Sequence, residues 1–192
     1  MPSKAARTLS TADARRDATV ASAVTTFARS GFQTTPIAAV AAHAGISPAY
    51  VSKLFSSKTT LFVAAIDECY ARITDTLERA AEESRGDSPE DILHAMGGAY
   101  ATLIADRDLL MLQVHAQAAT DVPEVAAAVR RGIGRITEVA ANVSQASHDQ
   151  VQRFVAFGQL CHLLTTVDAF DVDATWATVL TDGIRHSPSE RR

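Results

Sequence analysis

The amino-acid sequence predicts an all-α protein, with a small basic head followed by a larger helical body. Three observations carry that prediction. Hydrophobic residues make up 47% of the chain but aromatics only 6%, an Ala-rich usage that favours helices over strands. Apolar side chains recur at the i, i+3, i+4 spacing of one helical face. No stretch alternates in the manner of a strand, and no hairpin dipeptide separates two strand-like runs. With 192 residues, the chain has room for one large domain, or for a small one beside a medium one.

Taken in order, residues 1–10 are polar without an apolar face and are expected to lack structure. The first helix is predicted from Ala12 to Ser30, with Val20, Ala23, Val24 and Phe27 on its buried stripe. Gly31 stops it. Thr35-Pro36 supplies a cap and a first-turn proline for a second helix, which turns Ile37, Val40 and Ala41 inward. Ala44-Gly45-Ile46-Ser47-Pro48 repeats the device, with a glycine to end one helix and Ser-Pro to start the next. Two short helices joined by a glycine-containing turn form a helix-turn-helix. The second helix of that unit can enter a DNA major groove, its N-terminal residues toward the base edges.

Ser56-Ser57-Lys58 then caps a long fourth helix, Lys58 to Ser84, with Leu61, Phe62, Ala65, Ile66 and Cys69 inward. Arg85-Gly86-Asp87-Ser88-Pro89 is the clearest break in the body. There Ser88 caps, Pro89 opens, and Glu90 and Asp91 complement the helix dipole. The remaining helices are predicted over 89–105, 107–119, 123–145, 147–168 and 172–185, the fourth of these opened by the capping box Ser147-x-x-Gln150. The domain division follows: 1–57 for the helix-turn-helix head with its basic tail, 58–192 for the helical body.

The net charge of −4 hides an asymmetry. Residues 1–60 hold seven Lys or Arg against Asp13 and Asp17, a charge of +5, whereas residues 61–192 carry −9. A basic head on an acidic body fits phosphate contact at one end only. No run of about eighteen apolar residues predicts a membrane span. The basic N-terminus has no apolar core behind it, so it does not read as a secretory signal. Cys69 and Cys161 stand far apart without metal-ligand spacing, which predicts reduced thiols in a cytoplasmic protein.

Phe27, Gly31-Phe32, Thr35, Ile37, Val40-Ala41, Ala44-Gly45-Ile46-Ser47, Leu54-Phe55, Lys58 and Leu61 form an ungapped pattern. In it the segment resembles the DNA-binding region of the TetR (tetracycline-repressor-like) family of bacterial transcriptional regulators. Two positions depart from the family: Ala49 stands where many members have glycine, and Ser52 where many have a phosphate-contacting tyrosine. Tyr50 lies two residues before Ser52 and can take over that contact. The resemblance implies an N-terminal three-helix helix-turn-helix DNA-binding domain and a C-terminal helical ligand-binding and dimerisation domain.

On the recognition helix, Ser47 is the cap, Val51 and Leu54 point inward, and Pro48, Ala49, Tyr50 and Lys53 point outward. Lys53 can meet a phosphate or a guanine; Tyr50 can pack a thymine methyl, bond a phosphate, or merely pack on the neighbouring helix. Thr34 and Thr35 sit where free N–H groups and hydroxyls suit a phosphate oxygen, although Thr35 also suits a purely capping role. Lys58, placed unfavourably for its own helix dipole, is a further phosphate candidate.

In the body, Gly97-Gly98 inside a helix costs about 1 kcal/mol each relative to alanine. A close helix crossing or a cavity wall is the reason to accept that cost. Tyr100, Gln113, His115, His162 and Trp176 are polar or amphipathic residues among apolar neighbours, able to orient a small effector or simply to be satisfied core or surface groups. The segment from Val151 to Phe170 is apolar almost all round. Val151, Phe154, Phe157, Leu160, Cys161 and Leu164, joined by Leu180, are therefore assigned to a homodimer contact, against the alternative of a helix buried on all sides within one subunit. The family's use of its last two long helices for dimerisation favours the first.

An enzyme reading finds little footing. Asp91-x-x-His94 is half of a helical metal motif without its second half, and Ser144, His148 and Asp149 lack a nucleophile elbow. Neither cysteine adjoins a Lys or Arg that would lower its pKa for redox sensing. No catalytic group, metal or cofactor is expected. The sequence therefore reads as a dimeric transcriptional repressor on double-stranded DNA with a palindromic operator, released by a small apolar ligand. The alternatives are an activator, or a ligand-binding helical protein with a degenerate DNA head.

Overall fold

The computed structural model describes residues 4–184, and all of their regular structure is helical. Helix α1 spans Lys4–Thr34, α2 Ile37–His43, α3 Pro48–Leu54 and α4 Lys58–Glu83. Helix α5 spans Pro89–Leu103, α6 Arg107–Ala118, α7 Pro123–Ser144 and α8 His148–Thr166. A short 3-10 turn, Ala169–Asp171, then leads to α9, Thr175–Thr181. The chain divides into two compact units. One comprises residues 1–69 with 112–129, the other 70–111 with 130–192.

In the first unit, α1 starts at Lys4, inside the stretch expected to lack structure. Ala5, Ala6, Arg7 and Leu9 are good helix formers and extend the helix beyond its amphipathic part. The predicted stop is present: Gly31 adopts φ 78°, ψ 175° and breaks the helical path before its final residues. Phe27 and Phe32, on either side of that break, converge on Phe62 of α4, with ring centroids 4.8 and 5.0 Å apart. Leu61, Phe62, Ala65, Ile66 and Cys69 are all buried, on the face that periodicity assigned to them.

The seven-residue helices α2 and α3 bury only Val40, Ala41 and Val51, too little to stand alone. The compact unit that holds them therefore continues past residue 57 through the first turns of α4. It also takes in the end of α6 and the start of α7, where Leu112, Ala116 and Val125 are buried.

In the second unit, α5 and α8 pack against each other, and Ile73, Leu77, Met96, Ile104, Leu110 and Leu164 fill the core. Ser88 caps α5 by accepting from the Asp91 N–H at 3.2 Å. The Ser147–Gln150 capping box opens α8 with both reciprocal bonds in place. In this unit the last helix departs most from expectation: in place of 172–185, whose final residue lies outside the described ones, there is the seven-residue α9, preceded by the 3-10 turn. Asp168 is left-handed at φ 52°, and the aspartates at 171 and 173 favour turns over helix interiors. Among the described residues, no helix is long and apolar enough to cross a membrane.

Candidate functional site

The recognition helix is built as its sequence requires. The Ser47 hydroxyl accepts from the Tyr50 N–H at 3.2 Å, and Pro48 occupies the first turn. Val51 is wholly buried, which turns Pro48, Ala49, Ser52 and Lys53 to solvent on the opposite side. Tyr50 is half-buried, its ring centroid 5.8 Å from the Arg15 guanidinium. That places Tyr50 against α1 while leaving part of the side chain open.

Two cations brace this arrangement. Arg16 of α1 donates to the Leu54 carbonyl at 3.0 Å and lies 4.3 Å from the Phe55 ring centroid. It thus satisfies a carbonyl at the C-terminal end of α3 that has no partner within the helix. Lys58 donates to the Gln33 carbonyl at 3.1 Å, with its ammonium 4.9 Å from the Phe32 ring centroid. Its position at the start of α4 is unfavourable for that helix, but the C-terminal end of α1 offsets this. Ser57 supplies the cap of α4 by accepting from the Thr60 N–H at 3.0 Å.

Thr35 departs from its predicted place. It is 3% exposed and its hydroxyl bonds inward to the Thr26 carbonyl at 3.4 Å. Pro36, not Thr35, is the residue that precedes α2, and no side chain caps that helix. The Thr35 side chain is therefore withdrawn from solvent, because the turn after Gly31 folds it onto α1. Thr34 remains exposed and donates to the Ser30 carbonyl.

Residues 20–65 match the profile of the bacterial regulatory proteins of the tetR family. Through this segment the chain is similar to the tetR family. No curated protein matches it. Solved structures similar in fold include a transcriptional regulator FadR from Bacillus subtilis in complex with stearoyl-CoA, at 13% identity and a TM-score of 0.69, covering 87% of this chain and 94% of that one. A TetR-family transcriptional regulator from Agrobacterium tumefaciens is 18% identical with a TM-score of 0.67, covering 91% and 95%. A TetR-like regulator from Rhodococcus sp. RHA1 is 23% identical with a TM-score of 0.64, covering 88% and 92%.

Behind the tetR-family segment, His115 of α6 is not a cavity residue. An added Cβ at Gly31 would lie 2.9 Å from the His115 Nδ1, so the imidazole fills the space that the glycine leaves. Gln113 is buried in the same compact unit.

The second unit holds a cavity of about 460 Å³ between α5, α8 and the chain near Ile184, within the size range of small-molecule sites. Gly97, Gly98 and Tyr100 line it from α5, and Phe154, Phe157 and Cys161 from α8. Of the five effector candidates only Tyr100 is among its walls. His162 is turned away and its Nε2 meets the Leu110 carbonyl at 3.1 Å. Burial pushes its pKa down, partly offset by that bond. Trp176 sits 51% exposed on α9.

The assigned dimer residues also divide. Val151, Cys161 and Leu164 are buried within the subunit, because α8 turns one face onto its own core. Phe154 and Leu160 are half-buried, Phe157 is 61% exposed, and Leu180 is exposed. The unassigned Leu163, Val167, Val172 and Val179 are exposed apolar side chains in the same region of the chain. Only the facing of each helix, set by packing, separates these sets.

The groups weighed for catalysis have local partners. Ser144 is buried and donates to the Ala140 carbonyl at 2.6 Å. Asp91 accepts from the Ser88 hydroxyl at 2.6 Å, and Asp149 pairs with Arg153 at 2.9 Å. Burial raises the Cys161 thiol pKa, with a smaller opposing contribution from Thr165, which disfavours the thiolate.

Proposed function

We propose that this chain is a sequence-specific DNA-binding transcriptional regulator, acting as a homodimeric repressor that a small apolar ligand releases. The observation that carries the reading is the recognition helix. Its first turn presents Pro48 and Ala49 to solvent, Ser52 and Lys53 follow on the same side, and Tyr50 stands half-open beside Arg15. Two such helices on a two-fold dimer would reach successive major grooves about 34–36 Å apart. Lys53 and Thr34 are exposed for phosphate contact. Lys58 would present a phosphate with an ammonium already oriented by the Gln33 carbonyl.

Exposed Leu163, Val167 and Val179 support a self-association surface. The cavity supports an effector, and the similar FadR from Bacillus subtilis holds stearoyl-CoA. Repression needs no catalytic group, since occupancy of the operator suffices to block polymerase. Effector and DNA would then weaken each other by the same factor.

The test is selection of bound sequences from a random duplex pool by the purified protein, at about 150 mM salt to suppress phosphate-only binding. An enriched palindrome is expected. Folded, effector-free protein that enriches no sequence would overturn the reading. Leu163→Glu should yield monomers with at least tenfold weaker operator binding; a stable dimer would refute the assigned surface.

A further inference from the structure

Gly97 and Gly98 lie on the cavity wall, and a Cβ added at either would meet no atom within 4 Å. No neighbouring helix crosses close enough to require glycine there. Both are inside α5, where the backbone is helical and alanine would be favoured. The two missing side chains therefore leave room that the rest of the protein does not fill. Tyr100 on the same helix and Phe154 and Phe157 on α8 line the same cavity. A cavity that combines a bare strip of backbone with aromatic side chains suits a flat ring system, which gains by stacking or edge contact on those side chains.

The polar groups at the cavity come from the first two turns of each helix: Glu90 and His94 on α5, Gln150 and Arg153 on α8. Arg153 is already paired with Asp149 at 2.9 Å, and Gln150 is held by the capping box. Glu90 adds a further negative charge. These groups can accept and donate hydrogen bonds, and the Arg153 charge is shared with Asp149.

We propose that the cavity binds an uncharged, planar aromatic compound, its rings against Gly97-Gly98 and its polar substituent at the Glu90–Arg153 mouth. This rests on the reading of the chain as a ligand-released regulator and names the ligand class. A long-chain acyl anion is the competing alternative, disfavoured because it gains little from aromatic side chains and would compete with Asp149 for Arg153.

The experiment is a fluorescence titration of the full chain with N-phenyl-1-naphthylamine, an uncharged ring compound that brightens in apolar surroundings. Saturable binding is expected, displaced by 2-naphthol but not by palmitate. Gly97→Leu and Gly98→Leu should each weaken it at least tenfold with an unchanged or raised melting temperature. Should either leucine variant lose its fold, Gly97→Ala replaces it, with an expected loss of about tenfold for one added methyl. No saturable binding, equal binding by the folded variants, or displacement by palmitate in preference to 2-naphthol would each overturn the proposal. None of these readouts involves DNA. Failure to select an operator would therefore remove the regulator reading while leaving the ligand result intact, and the reverse holds equally.

Discussion

The head and the cavity wall use the same residue in opposite ways. At Gly31 the backbone is left-handed and the His115 imidazole closes the space where a side chain would stand. At Gly97 and Gly98 the backbone is helical and the space is open. In the first region glycine is required by packing, and any substituent must displace something. In the second it is disfavoured locally and is explained only by what the opening admits. Close packing marks the part of the chain that must hold one geometry; unfilled volume marks the part with room for another molecule.

That contrast can be broken most severely at Gly31. Gly31→Ala should lower stability by about 3 kcal/mol, combining left-handed strain with overpacking. Adding His115→Ala should recover the overpacking part, so a double-mutant cycle by denaturant melting should give a coupling above about 1 kcal/mol. Additive effects would mean that the imidazole simply moves aside. Gly132→Ala asks the same question within the body unit, where the new methyl would fall within the Tyr70 ring. A loss of about 2 kcal/mol is expected; a neutral result would show that the ring has somewhere to go. Gly97→Ala should do the reverse and stabilise by about 1 kcal/mol in thermal melting. Destabilisation there would mean that the cavity wall is packed after all.

The smallest effect is expected from His162. Its folded-state pKa lies below the ordinary value, because burial disfavours the charged ring. The unfolded chain therefore binds more protons as pH falls through about 6.5, and stability should decline until the folded pKa is passed. His162→Gln should flatten that part of the profile. An unchanged pH dependence would assign the slope to other groups.

Much of the architecture was legible along the chain. The stop at Gly31, the caps at Ser47, Ser88 and Ser147, and the inward faces of α1 and α4 all stand where periodicity and cap chemistry put them. These signals act between residues three or four apart, so a linear reading contains them in full. The Gly97-Gly98 pair likewise announced either a close crossing or a cavity, and the cavity residues on α5 follow its spacing in both directions. The final helix was less readable, because apolar spacing continued through aspartates that turn the chain.

Tertiary structure alone decided where the polar side chains went. Thr35 bonds inward to Thr26, Arg16 reaches Leu54, and Lys58 reaches Gln33, each through a partner that no local rule names. His115 went to Gly31 and His162 to the Leu110 carbonyl, leaving Tyr100 alone of the effector candidates at the cavity. The division of α8 into a core face and an exposed face was also settled by packing. The sequence by itself determined that there would be helices, where they break and which unit carries the helix-turn-helix, because those follow from short-range backbone and hydrophobic preferences. Which donor meets which carbonyl, and where volume is left unfilled, depends on surfaces brought together from distant parts of the chain.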